Sequence, residues 1–209
     1  CLSWEDFIQT AYMHRISLSS SGFYATPKIH YDHDAGQGRP FLYYTNSAAC
    51  SEVVVDTLTG EYRVLRTDIL HDAGRSLNPA IDMGQIEGGF IQGMGWLTTE
   101  ELVYSAEGRL LTTGPATYKI PAVSDCPPDL RVALLKDSPN HEATVFHSKA
   151  VGEPPFMLGI SVWSALRDAV SSLSDYRFSP PLDTLATPER VLNAVTETRR
   201  WVNQQENGQ

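Results

Sequence analysis

Apolar and polar residues alternate along some stretches of this chain and recur at helical spacing along others, and the switches between the two mark the elements. Residues 3–15 read as a short helix with Ser3 as its cap, after which Arg15-Ile16-Ser17-Leu18-Ser19 alternates like an extended segment. Gly22, Pro27, the Asp32-His33-Asp34 cluster and Gly36-Gln37-Gly38 mark a loop. Residues 41–44, 49–56 and 62–71 read as strands, and Leu58-Thr59-Gly60 turns the second back on the third as an antiparallel hairpin.

A second helix opens at Asn78-Pro79-Ala80-Ile81-Asp82, where Asn caps, Pro fits the first turn and Asp answers the dipole. It runs to about Trp96 or Leu97. Its five glycines, Gly84, Gly88, Gly89, Gly93 and Gly95, cost on the order of 4 kcal/mol against alanine. Another helix or a bulky ligand must therefore approach its backbone closely. Gln85, Glu87 and Gln92 lie among these glycines and exclude a membrane GxxxG face.

Residues 100–104 and 109–112, joined by Ser105-Ala106-Glu107-Gly108, read as a second hairpin, and residues 130–135 as a further strand. Residues 114–128 are proline-rich and long enough for a functional loop. A helix is expected from Pro154 to about Leu173. Pro180-Pro181 breaks the chain before a last helix, capped at Thr187-Pro188-Glu189 and ending near Asn203. The fold class is α+β, with hairpin-rich mixed sheets and segregated helices. The length suits one domain over 1–209 or two lobes divided near 72–78, with a helical tail over 180–209.

A net charge of −9 and a pI near 5.0 exclude a nucleic-acid or anionic-membrane surface, which needs concentrated Lys and Arg. No apolar stretch is long enough to span a bilayer and no leader is evident, so the polypeptide as given reads as cytoplasmic. A lipid-modified Cys1 is the alternative. Cys1, Cys50 and Cys126 are odd in number and far apart, which fits neither a disulfide framework nor a C-x-x-C metal site. Any iron–sulfur cluster belongs on another segment.

Candidate chemistry concentrates at Val151-Gly152-Glu153-Pro154-Pro155. Pro154 suits a first helical position, which sets Glu153 at or beside the N-cap, where the dipole favours a carboxylate and burial opposes it. Such a group is either a general base or simply a cap. Gln85 can donate an uncharged amide to an oxo or phosphate oxygen, or it can be an ordinary surface residue. His30, His33, Asp32 and Asp34 fit a solvated loop better than a metal cluster, and His71 with Asp72 fits a structural hydrogen-bond pair better than a catalytic dyad. There is no G-x-S-x-G elbow and no phosphate loop in a strand-to-helix context.

The stretches from Ser76 to Gly88 (SLNPAIDMGQIEG), Thr99-Glu100-Glu101-Leu102, Thr117-Tyr118-Lys119-Ile120-Pro121 and Ser148-Lys149-Ala150-Val151-Gly152-Glu153-Pro154-Pro155 together resemble the C-terminal part of the molybdenum-binding subunit of xanthine dehydrogenases, in the molybdenum hydroxylase family. The resemblance runs from about Trp4 to about Ala169. It implies that Glu153 is the catalytic base, that Gln85 lies beside the oxygen ligands of molybdenum, and that the backbone of Lys149, Ala150, Val151 and Gly152 approaches the molybdopterin. The metal itself is held through the pterin. Animal aldehyde oxidases usually carry Gly-Glu-Ser-Gly where this chain has Gly152-Glu153-Pro154-Pro155, which favours xanthine dehydrogenase.

The resemblance further implies hydroxylation of a purine, hypoxanthine or xanthine towards urate, with water as oxygen source. Electrons would pass to iron–sulfur clusters, FAD and NAD on other segments or subunits. Partners would be the upstream remainder of the molybdenum subunit, the iron–sulfur/FAD part and further copies in an oligomer, with the whole chain forming part of a molybdopterin-binding domain. The purine-binding arginine, second glutamate and paired phenylalanines of the family lie outside this sequence, as do most cofactor contacts. A non-catalytic interaction lobe and a hydroxylase of aldehydes or other heterocycles are the rival readings.

Overall fold

The computed structural model describes residues 2–207 and divides the chain into two compact units, 1–42 and 43–209. In the first, α1 (Trp4–Met13) starts where the Ser3 hydroxyl accepts the Asp6 N–H, and none of its residues is buried. β1 (His30–Asp32) pairs antiparallel with β2 (Gln37–Arg39). This hairpin lies where a loop was expected. Its residues are exposed throughout and, Tyr31 and Gly38 apart, polar, so no alternation announces it. The tight turn is made by Asp32, whose carboxylate accepts the N–H groups of Asp34 and Ala35, and by Gly36 at φ 63°. Residues 15–19, expected to be extended, form no strand.

The second unit is built on a three-stranded sheet, β3 (Ser47–Val55), β4 (Tyr62–His71) and β5 (Asp129–Leu134), in that spatial order. β3 and β4 form the expected hairpin. Between the Glu52–Arg66 and Val53–Val64 pairs, Leu65 is a bulge residue. The extra residue shifts the side-chain parity, so that Val64, Thr67, Ile69 and His71 are all buried. β5 runs parallel to β4, and α2 (Pro79–Thr98) lies between them in sequence, as a parallel pair requires a crossover.

Residues 72–78 lie inside this unit. Residues 41–44 are not a strand, and the expected hairpin over 100–112 is reduced to a single bridge between Tyr104 and Leu110. Its ladder fails because the Val103 N–H is taken by the Thr112 hydroxyl at 3.2 Å.

Helix α2 has the Asn78 cap and the Pro79 start that its sequence requires. The segment after Glu153 is a 3-10 turn, Pro154–Gly159, leading into α3 (Ile160–Ser172). α4 (Pro188–Asn207) closes the unit. One row of each helix meets in the core: Ile86, Phe90 and Met94 of α2, Val162, Leu166 and Val170 of α3, and Val191, Ala194 and Val195 of α4. The spacing of three and four residues is that of a single helical face. The sequence from 180 onward thus contributes part of this core, with Leu182 and Ala186 buried beside α4.

Candidate active site

The glycines of α2 divide into two sets, and that division locates the site. A Cβ at Gly89 would stand 3.0 Å from the Gly152 carbonyl and 3.2 Å from Pro155 Cβ, and one at Gly93 would collide with the Phe156 carbonyl. The partner that Gly89 and Gly93 demand is thus the turn carrying Glu153, whereas a Cβ at Gly95 would collide with Pro121 and the Glu100 carboxylate. Gly84 and Gly88, by contrast, face open space. Gln85 lies between them on an exposed part of α2, and a Cβ at Gly152 would stand 3.6 Å from its Oε1. Two residues 67 positions apart in sequence are therefore neighbours across the helix–turn contact.

Glu153 occupies the N-cap of the 3-10 turn but makes no side-chain capping bond. Its carbonyl accepts the Phe156 N–H at 2.9 Å, while its carboxylate is exposed. The cap role is thus filled by its backbone alone. Among the described residues, the N–H groups of Val151, Gly152 and Glu153 donate to no protein acceptor. Three unused N–H donors and an amide, beside a helix wall kept clear by Gly84 and Gly88, suit an oxygen-rich anion. The oxygen-rich groups of a molybdopterin suit this donor set, which the 151–153 backbone and Gln85 would offer from one side.

The Lys149 and Ala150 groups are otherwise engaged. Lys149 Nζ donates to Asp72 Oδ2 at 2.5 Å, with both side chains almost fully enclosed. The Ala150 N–H donates to the Tyr43 hydroxyl at 3.0 Å. The Lys149 N–H also donates to the Ala73 carbonyl at 2.9 Å, so only the carbonyl of the first and the surface of the second remain for a cofactor. His71 and Asp72 do not bond to each other as a pair. The His71 Nδ1 is 2.7 Å from Ser47 Oγ, whereas Asp72 holds Lys149 and the Gly74 N–H.

Burial pushes the His71 imidazole below its usual range, against the opposing pull of the Ala150 backbone and the Asp72 and Asp82 carboxylates. For Asp72, burial acts upward, but the Lys149 ammonium and the Gly74 N–H outweigh it and hold the carboxyl below its usual value. A hydroxyl chain anchors the other end of the turn. Ser161 Oγ, which donates to the Leu158 carbonyl, is 2.8 Å from Ser51 Oγ, and that is 2.9 Å from the buried Thr67. Tyr43 and Ser161 were not singled out by the sequence, since each acts across long loops and neither sits in a recognisable motif. Asp72 was expected to be the hydrogen-bond partner of His71, whereas its partner is Lys149, 77 positions on.

Residues 1–127 match the model of the molybdopterin cofactor-binding domain. The chain belongs to that family. It is 53% identical over 199 residues to a xanthine dehydrogenase/oxidase of Gallus gallus, covering 94% of this chain and 15% of that protein. It is 47% identical over 202 residues to aldehyde oxidase 2 of Macaca fascicularis, covering 93% of this chain and again 15% of the relative. Among solved structures it resembles the aldehyde oxidoreductase of Desulfovibrio gigas, with 26% identity and a TM-score of 0.64 over 80% of this chain and 17% of that one. The chain thus spans about one-seventh of the length of the curated relatives it matches. The α+β class expected from the pattern is the one found in this family's molybdenum-binding domains, and a molybdopterin is its cofactor.

Proposed function

We propose that this chain is the C-terminal part of the molybdenum-binding region of a xanthine dehydrogenase-type hydroxylase, with Glu153 as general base. The observation that carries the reading is the approach of Gly152 to Gln85 of α2, in a turn whose Val151 to Glu153 N–H groups are free and whose Glu153 carboxylate makes no capping bond. When bound, the molybdopterin centre supplies the two-electron oxidation, with water as the source of oxygen. Gln85 would donate its amide to an oxygen of that group, and the neighbouring 151–153 N–H groups would donate from the same side. The Glu153 carboxylate oxygens take up the proton released as the new carbon–oxygen bond forms, which is general-base catalysis. Because its cap role is carried by the backbone, the carboxylate is left free for that proton.

The substrate we assign is a purine. Its support is the 53% identity to a xanthine dehydrogenase/oxidase together with Pro154-Pro155 after Glu153. In the full-length protein, Glu153→Gln is expected to keep its molybdenum and to lower kcat for xanthine by about two to four powers of ten, the usual contribution of a positioned base. Activity retained within a factor of a few refutes the role of Glu153. Faster turnover of an aromatic aldehyde than of xanthine moves the protein to the aldehyde class.

A further inference from the structure

The turn bearing Glu153 is reached through residues 140–150, and these are tied down far more tightly than a loop requires. The backbone of 147–149 pairs antiparallel with 73–75: Arg75 N donates to the His147 carbonyl at 3.0 Å and Lys149 N to the Ala73 carbonyl at 2.9 Å, about the Gly74–Ser148 bridge. A Cβ at Gly74, which lies at φ 62°, would stand 2.6 Å from the His147 carbonyl. Only glycine admits this approach. On the other side, buried Asn140 donates Nδ2 to the Ser148 carbonyl at 3.2 Å, and the Thr144 hydroxyl donates to the same carbonyl at 2.6 Å. Phe146 and His147 are both held in the left-handed region, at φ 49° and 60°, which non-glycine residues adopt only where their surroundings enforce it.

The chain then makes two side-chain anchorages in succession, Lys149 to Asp72 and Ala150 to Tyr43, and immediately afterwards presents three N–H groups without protein partners. Both anchors come from the ends of the sheet, Tyr43 shortly before β3 and Asp72 directly after β4. Tethering ends where the free donors begin. That is the arrangement needed to fix a short reactive segment within a fraction of an ångström.

We propose that Asp72, Lys149 and Tyr43 form a clamp that sets the 150–153 backbone and thereby aims Glu153, with Asp72 and Tyr43 as positioning residues. The inference rests on the function proposed above for Glu153. It assigns the Lys149 ammonium to the clamp and leaves only its backbone carbonyl to the cofactor.

The test uses the full-length protein and two alterations. Tyr43→Phe removes only the hydroxyl that holds the Ala150 N–H. Asp72→Asn alone strands a buried ammonium and endangers folding, so the pair is replaced together, Asp72→Asn with Lys149→Met. Amide hydrogen exchange, measured with molybdenum removed, is read at the two N–H groups that protein acceptors hold: it is expected to quicken at least tenfold at Lys149 in Tyr43→Phe and at Ala150 in the double variant, while α3 is unchanged. In the loaded enzyme, kcat per bound molybdenum is expected to fall about tenfold with KM within twofold. Tyr104→Phe, at an exposed ring distant in sequence from both segments, serves as the control and moves neither quantity. Unchanged exchange at these two amides overturns the clamp, and quickened exchange with unchanged kcat per molybdenum overturns its role in aiming Glu153. If Glu153→Gln itself proves active, the base assignment fails, while the exchange measurement still decides whether the clamp exists.

Discussion

At the scale of single residues, the ionisable groups in and around the core make stability fall at both ends of the pH range. The His71 imidazole is neutral in the folded chain because burial depresses its pKa, whereas in the unfolded chain it titrates near 6.5. Its contribution is therefore complete above that value and is lost as pH falls from there through the depressed folded value. Asp72 adds a second loss at lower pH, below the ordinary 3.8, as its Lys149-held carboxylate is finally protonated. At the alkaline end, burial pushes Tyr62 up to about 12, against the lowering effect of Thr98 and with the help of Asp125. Its hydroxyl donates to the Ala186 carbonyl at 2.9 Å. A raised folded pKa gives stability below pH 10 that disappears as pH climbs from 10 towards 12. Calorimetry of the wild type and Tyr62→Phe is expected to show the gap between their melting temperatures narrowing over that interval. A constant gap would mean that the phenol ionises as easily folded as unfolded.

At the scale of elements, the glycines of α2 illustrate how much was readable and what was not. Their cost pointed to a close neighbour, and the Asn78-Pro79 start, the β3–β4 hairpin and the helix over 188–207 all follow from local signals of capping, turn and alternation. Which glycine serves which neighbour was invisible, because the turn at 154–159 lies some sixty residues on. The β1–β2 hairpin lacks an apolar face, and the direction of β5 relative to β4 has no local signature at all. For the site, the motifs around Gln85 and Glu153 were legible through their resemblance to a family. The Asp72–Lys149 tie, across 77 positions, was not.

The division of the glycines makes a prediction of opposite signs. Gly93→Ala is expected to destabilise the fold by about 1–3 kcal/mol, since its Cβ meets rigid backbone at Phe156. Gly88→Ala is expected to stabilise it by up to about 1 kcal/mol, because nothing lies within 4 Å. Gly88→Leu in the full-length protein is expected to fold and yet to hold less molybdenum. Urea denaturation and metal analysis check the three, and equal effects at 88 and 93 would refute the assignment of an open wall.

At the scale of the whole molecule, the question is what 209 residues can do by themselves. The core of α2, α3, α4 and β4 is continuous and its largest side chains are fully buried, so the unit from 43 to 209 has what a domain needs to fold. The site has less. The donors proposed for it are Gln85 and the 151–153 backbone, all on one side, and Glu153 stands exposed. A large anionic pterin bound there would leave most of its polar groups to water, and a base in open solvent lacks the low-dielectric surroundings that make proton transfer effective. The surface points the same way. Phe23, Val123, Trp4 and Phe146 are 95%, 92%, 72% and 70% exposed, and β3 and β5 each have a strand on one side only among the described residues. Apolar side chains and open strand edges on that scale are normally covered by protein. The isolated chain is therefore expected to give a cooperative unfolding transition, to self-associate in sedimentation at micromolar concentration, and to contain no stoichiometric molybdenum and no xanthine-oxidising activity. A monomeric, metal-loaded and active fragment would show that the one-sided site is complete, and would locate the remaining cofactor contacts within these 209 residues.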